Sequence, residues 1–322
     1  MLELMVKLVG IPSYTGNFGA MNLCFEVCKG FLINTHGIYI KEFERNNYKS
    51  IIFSNVDSLV FDVISPCHLD VVVAEKYELK IDKNTSRLLG RGVFDMKGFV
   101  ASNLINLKFL AEKNSNISYG VVITSDEETG GENGMKYLVE NVGLKTNLVL
   151  DSDKGGNISS IAKENLGAMT IKLYGGRENI KKTIQSIKNV FRGYHCEDYG
   201  DEMDINFGDI NIHQTLGDCM DKNVTSQILM FNDYIKYDIN DKYHQLYRHI
   251  AETAGLKINY TTTNGTNDSR YFSTDNVSVI THQAIGGDSH EETEWLDLGS
   301  LHIFNKIQRK FLVNLPKNNC NF

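Results

Sequence analysis

No stretch of the 322-residue chain approaches the roughly 20 consecutive apolar residues that a membrane helix needs, so no membrane partner is expected. There is no surplus of positive charge either. Lys and Arg number 33 against 40 Asp and Glu, a formal net charge of -7, and nothing in that balance invites a phosphate backbone. Nucleic acid is therefore not expected as a partner. The six cysteines, at 24, 28, 67, 196, 219 and 320, form no CxxC pair. Scattered thiols in a long chain read as reduced, which places the protein in the cytoplasm as an expectation. Cys24 and Cys28, one helical turn apart, read as packing. The opening residues Met1-Leu2-Glu3 carry an acid where a secretory leader is basic. Internal repeats and low-complexity segments are absent.

What is present is the balance of a globular chain, 42% hydrophobic and 23% charged. Leu2 to Gly10 has helical apolar spacing and stops at Gly10-Ile11-Pro12-Ser13. A second amphipathic helix follows from Ala20 to Ile33. Short β-type runs come next: Ile38 to Phe43, Ser50 to Phe53 and Val60 to Ile64. Phe99 to Leu110 reads as a helix, and Tyr119 to Thr124 as a strand buried on both faces. Gly134 to Val142 (helix) and Asn147 to Leu150 (strand) continue the alternation, which predicts an α/β fold around a mostly parallel sheet. The pattern changes after Gly167. A strand, a helix and two further strands (Met203 to Ile212, Val224 to Ile235) suggest a small inserted α+β block of βαββ type. The expected domains are 1–167 with 241–322, and the insert 168–240.

Five segments carry residues suited to chemistry. Cys67-His68-Leu69-Asp70 follows a strand, and Asp70 could orient His68; an isolated HxD is also simply a solvated loop. Gly90-Arg91-Gly92-Val93-Phe94-Asp95-Met96-Lys97-Gly98 opens into a helix, where Asp95 could equally be an N-cap. Ser125-Asp126-Glu127-Glu128-Thr129-Gly130 places three adjacent carboxylates at a buried strand's end, where a cation would resolve their repulsion; a solvated acidic loop is the bland alternative. Asp151-Ser152-Asp153 ends another strand, and His290 sits in a Gly-rich loop. Together they supply two histidines and several carboxylates, a mixed set suited to zinc and tolerable for cobalt or manganese.

These segments resemble, in order, the motifs of a metallo-hydrolase family that includes acetylornithine deacetylase, succinyl-diaminopimelate desuccinylase, aminoacylase, glutamate-releasing carboxypeptidases and tripeptide-type aminopeptidases. The resemblance rests on Ile11-Pro12-Ser13, His68 through Val72, Gly90 through Gly98, Ser125 through Gly130, Gly265-Thr266-Asn267-Asp268-Ser269-Arg270, and His290 through Trp295, and covers most of the chain outside the inserted block. It implies a zinc-exopeptidase-like catalytic domain with a small lid domain, and two divalent metals, zinc before cobalt or manganese. His68 would bind one metal, Asp95 would bridge both, and Glu128 with His290 would bind the second. The remaining ligand falls at Asp153 or Asp151, with Asp153 preferred. Glu127 would be the general base for a two-metal-activated water, Asp70 would hold His68, and Arg270 and Asn223 would contact substrate.

The implied substrate is an N-acylated amino acid. Dipeptidase or aminopeptidase activity is the alternative on the same site, and an inactive binding protein is a third reading. Cys67 departs from the family's usual Gly. The loop from Tyr174 to Asn179 lacks the histidine that dimeric members lend to a partner's site; His195 and His213 are the candidate substitutes. Since the insert also reads as lacking a second helix and strand, a monomer or a non-standard homodimer is expected.

Overall fold

The runs of Val, Ile and Leu that punctuate the first half of the chain become the strands of a mixed sheet. The computed structural model describes residues 1–153, 155–265, 267–272 and 277–316; Thr266 and Cys320, named above, lie outside them. The chain divides into two units. The larger comprises Met1–Ala162, Tyr237–Tyr260 and Asn267–Phe322, and the smaller comprises Lys163–Lys236 and Thr261–Thr266.

The larger unit is built on β1 (Tyr39–Arg45), β2 (Tyr48–Ser54), β3 (Val60–His68), β4 (Tyr119–Thr124), β5 (Lys145–Asp151) and β6 (Ser278–Thr281). Their order across the sheet is β1-β2-β4-β3-β5-β6. Strands β4, β3, β5 and β6 run parallel, while β2 meets β4 antiparallel. β4 is buried along its whole length, as an unbroken apolar run must be. Because β4, β3 and β5 are neighbours and parallel, their C-terminal ends share one edge of the sheet.

Helix α1 (Leu2–Val9) buries Leu4, Met5, Leu8 and Val9, an i, i+1, i+4, i+5 stripe, and ends at the Gly10–Pro12 breaker. Helix α2 (Phe18–Leu32) is capped by Asn17, whose side chain accepts from the Ala20 N–H. Cys24 and Cys28 are both buried on it, in packing positions. Helices α3 (Gly98–Glu112), α4 (Lys242–Thr253) and α5 (Leu298–Asn314) complete the core. Phe99 of α3 meets Phe304 of α5 edge-on at 5.3 Å, and Tyr247 of α4 meets Phe311 at 5.0 Å.

A short antiparallel sheet not read from the sequence joins Gly286–Gly287, Trp295–Asp297, Arg87–Leu89 and Lys80–Asp82 in that order. It holds the loop of His290 against the loop of Asp95. Two or three residues per strand leave no period to detect in the sequence.

The core also contains a histidine that titrates with folding. His282 is buried, and its Nε2 donates to the Ile158 carbonyl at 3.1 Å while Nδ1 accepts from the Tyr247 hydroxyl at 2.9 Å. A carbonyl can only accept, so the Nε2 proton is fixed, and in the neutral ring that burial favours Nδ1 is left to accept from Tyr247. Burial pushes its pKa down to about 4. The unfolded chain therefore takes up this proton near pH 6.5, before the native state does. The stability contributed is present above about pH 6.5 and is lost as pH falls toward 4, on the order of 3 kcal/mol. His282→Gln can make both hydrogen bonds without titrating. Its melting temperature should fall less than the wild type's between pH 7 and 4.5, and parallel profiles would contradict the assignment.

The smaller unit forms an antiparallel sheet in the order Cys196–Asp198, Glu202–Phe207, Gly167–Gly175, Val224–Asn232. It has its own core, with Ile171, Leu173, Ile187, Phe191, Met203 and Ile205 at its centre. The structure corrects the expectation of a shortened βαββ block. Beside the helix Arg177–Val190 there is a second helix, Ile212–Cys219, and a fourth strand. The strand read as Met203 to Ile212 stops at Phe207, and Asn211 then caps the helix by accepting from the Gln214 N–H at 3.2 Å. The helix is eight residues long with Gly217 inside, too short and too weak in propensity to announce itself. The missing half was one of two grounds for expecting a monomer or non-standard homodimer and falls away; the other stands, since Tyr174 to Asn179 carries no histidine.

Candidate metal centre

Three strand ends deliver the donors. His68 is the last residue of β3. The turn after β4 carries Glu127 and Glu128, and Asp153 follows β5 by two residues. A fifth donor, Asp95, stands in the tight turn before α3. Gly92 adopts φ 77°, and a side chain at Gly98 would strike the Val93 carbonyl at 2.3 Å, so the turn requires both glycines. The Asp95–Met96 peptide is cis. Lys97, fully buried, ties the turn to the end of α1 by donating to the Leu8 and Ile11 carbonyls, each at 2.9 Å.

Asp95 lies between the two histidines. Its Oδ1 is 3.1 Å from His68 Nε2, and its Oδ2 is 3.3 Å from His290 Nε2. Glu128 Oε2 is 3.1 Å from the same His290 nitrogen. One donor atom each from His68, Asp95 and Glu128 lie within 4.8 Å of one another, and so do donors from His68, Glu127 and Asp153. Ligands about 2.0 Å from a tetrahedral zinc stand about 3.3 Å apart, so the observed spacings fit such ions. The structure thus brings His68, Asp95, Glu127, Glu128, Asp153 and His290 into one cluster.

Asp70 is there by a different contact than the sequence suggests. The His68 Nδ1–H is 2.9 Å from the Asp70 main-chain carbonyl, whereas the Asp70 carboxylate is 3.6 Å away. That carboxylate accepts instead from the Glu127 and Glu128 N–H groups, at 3.2 and 3.0 Å, and from the Thr15 hydroxyl at 3.1 Å. Asp70 therefore fixes the His68 tautomer with its backbone and the acidic turn with its side chain.

The charges of the cluster call for cations. Burial, and then the charges of Asp153, Asp268 and Glu128, push the Glu127 carboxyl well above its ordinary value. Burial and the Asp153 charge do the same to Asp151, and burial with Asp126 and Asp70 lifts Asp268 to about 7. Burial alone would lower His68, but its contacts with Asp70 and Asp95 carry it well above the ordinary range. His290, 47% exposed, is lifted to about 10 by Asp95 and Glu128. Acids driven toward the neutral form beside imidazoles driven toward the charged form show a donor set short of positive charge.

Asp151 and Asp153 separate on geometry. Asp151 Oδ1 accepts from the Asp153 N–H at 2.9 Å, turning that carboxylate back on its own chain. Asp153 joins the cluster with His68 and Glu127. Asp153→Ala should lose a bound cation and Asp151→Ala should not, as read by elemental analysis; the reverse result would move the ligand to Asp151.

Arg270 is held beside the acidic turn, donating from Nη2 to the Gly130 carbonyl at 2.7 Å, which also accepts from the Tyr271 hydroxyl. Asn223 occupies an exposed turn of the smaller unit, its N–H donating to Asp221. In that unit His195 lies 3.9 Å from Glu197, and His213 stacks on Phe231. Asp268 lies in the segment Gly265 to Arg270 that the resemblance makes pocket-lining, and Glu294 in the segment after His290; neither was expected to support the cluster. Asp268 is buried and accepts from the Thr124 hydroxyl at 3.2 Å, and Glu294 is buried against Arg91 at 3.0 Å. Their only sequence signal is membership in the motif segments.

The sequence model of peptidase family M20/M25/M40 matches residues 66–314. A probable carboxypeptidase of Aspergillus flavus is 26% identical over 142 residues, covering 42% of this chain. The match spans only a third of that protein's length. Among solved structures, an M20 family metallo-carboxypeptidase from Sulfolobus solfataricus superposes with a TM-score of 0.75 at 14% identity, over 97% of this chain and 98% of that one. The di-peptidase Dug1p from Saccharomyces cerevisiae gives 0.74 at 12% identity, over 98% and 96%. At such identities these two likenesses speak for the fold. Among the described residues no helix is long and apolar enough to cross a membrane.

Proposed function

We propose that this chain, which belongs to peptidase family M20/M25/M40, hydrolyses the amide bond of small peptide-like substrates with a pair of divalent cations. The observation that carries the reading is Asp95, one oxygen facing His68 at 3.1 Å and the other facing His290 at 3.3 Å. His68 and Asp153 would hold one cation, Glu128 and His290 the other, and Asp95 both. Zinc suits this donor set first, and cobalt or manganese are also accommodated. When bound, such ions supply Lewis acidity, lowering the pKa of water toward 7 and polarising a carbonyl oxygen.

The chain's own residues do the rest. Glu127, 12% exposed with Oε2 3.9 Å from His68 Nε2, would take a proton from the attacking water and pass it to the leaving nitrogen. Asp70 holds its main-chain N–H and so the position of its carboxylate. Arg270 is the proposed partner for a substrate carboxylate through its planar fork.

An N-acyl amino acid and a dipeptide present the same bond and differ only in the acyl group. The deacetylase or desuccinylase reading comes from the sequence motifs; the dipeptide reading is favoured by the peptidase likenesses above. Purified protein supplied with zinc or cobalt should hydrolyse at least one of the two sets, and the ratio of kcat/KM between acetyl- or succinyl-amino acids and dipeptides assigns the class. Full cation occupancy without hydrolysis of either would favour a binding protein on this scaffold.

A further inference from the structure

We infer that Arg91 and Glu294 form a brace that sets the position of Asp95 relative to His290, and with it the affinity of the second cation site. The inference rests on the two-cation reading above. Glu294 is 1% exposed, and all four acceptor positions of its carboxylate are used. Oε1 accepts from the Phe94 and Asp95 N–H groups at 2.8 and 2.9 Å, and Oε2 accepts from the Gly92 N–H at 2.8 Å and Arg91 Nη1 at 3.0 Å. The Glu294 carbonyl also accepts from the Gly90 N–H at 3.1 Å. One side chain therefore gathers the whole turn that presents Asp95.

Arg91 extends the brace to the other ligand. Its second guanidinium nitrogen, Nη2, donates to the His290 carbonyl at 2.8 Å. His290 and, two residues before it, Asp288 have φ of 71° and 56°, a region that L side chains rarely adopt. The loop needs an outside restraint to stay there, and this bond supplies one. A planar fork spans both partners at once, which a single ammonium cannot do. His68, by contrast, is positioned through the Asp70 carbonyl and the end of β3. The brace thus reaches His290 directly, through Arg91, and reaches His68 only through Asp95, which faces both histidines.

Glu294→Gln tests this, since the amide turns a donor toward N–H groups that need an acceptor. Arg91→Lys is the second variant, keeping the charge for Glu294 but losing the span to His290. Both are read by calorimetric titration of zinc into chelator-stripped protein, with melting temperature measured alongside. Wild type should show two binding events. Each variant should weaken the second event by about 10–100-fold and the first distinctly less, since Asp95 is shared while the Arg91 bond to His290 is not. Should Glu294→Gln fail to fold, Arg91→Lys decides alone. Wild-type affinity at both sites would overturn the inference, as would equal weakening at both sites with a lowered melting temperature. A wild type that binds fewer than two cations would instead remove the two-cation reading from which it starts.

Discussion

Glutamine at position 127 should lower turnover by about 10²–10⁴-fold while both cations stay bound, because proton transfer alone is removed. Glu127 is nearly isosteric with Gln, and its N–H bond to Asp70 at 3.2 Å belongs to the main chain and survives the change. Neighbouring Glu128, which faces His290 at 3.1 Å, is untouched. KM should move little, since Glu127 is assigned to the reaction rather than to holding substrate. Elemental analysis and steady-state kinetics on the same preparation separate the cases. Near-normal turnover with full cation content would remove Glu127 from the mechanism.

Removal of either histidine should be comparably severe for a different reason. His68→Ala and His290→Ala should each reduce the bound cations from a pair to one per chain, because the two imidazoles face opposite oxygens of Asp95. The surviving ion lacks its neighbour, so the pair no longer acts on water and carbonyl together, and activity should fall to background. Asp70→Ala should be milder, about 10–100-fold, because it perturbs supports rather than donors. A His290→Ala protein that still holds a pair of cations would take His290 out of the site.

The donors could be read in the sequence because each stands at a landmark with a local signature: the end of an apolar strand for His68, Glu127, Glu128 and Asp153, and a glycine-punctuated turn for Asp95 and His290. Their supports could not. Thr15 reaches Asp70 across 55 positions and Arg91 reaches Glu294 across 203, and no spacing rule spans such distances. Asp70 shows the limit well: two residues from His68, it was read as a side-chain partner, yet its carbonyl makes the contact while its carboxylate serves the turn after β4. In the fold, β4 was legible end to end because Val121-Val122-Ile123 lie between β-favouring Tyr119 and Thr124, and all six of its residues are buried. Helix Ile212–Cys219 was not, because burial of Ile212, Leu216 and Cys219, and not propensity, holds it. The four short strands behind the His290 loop form only through partners distant in sequence.

The most direct test of the account is anomalous diffraction at the zinc edge from crystals grown with zinc. The account predicts a pair of peaks flanking the Asp95 carboxylate, one in contact with His68 and Asp153 and the other with Glu128 and His290. A single peak, or peaks away from Asp95, would contradict it.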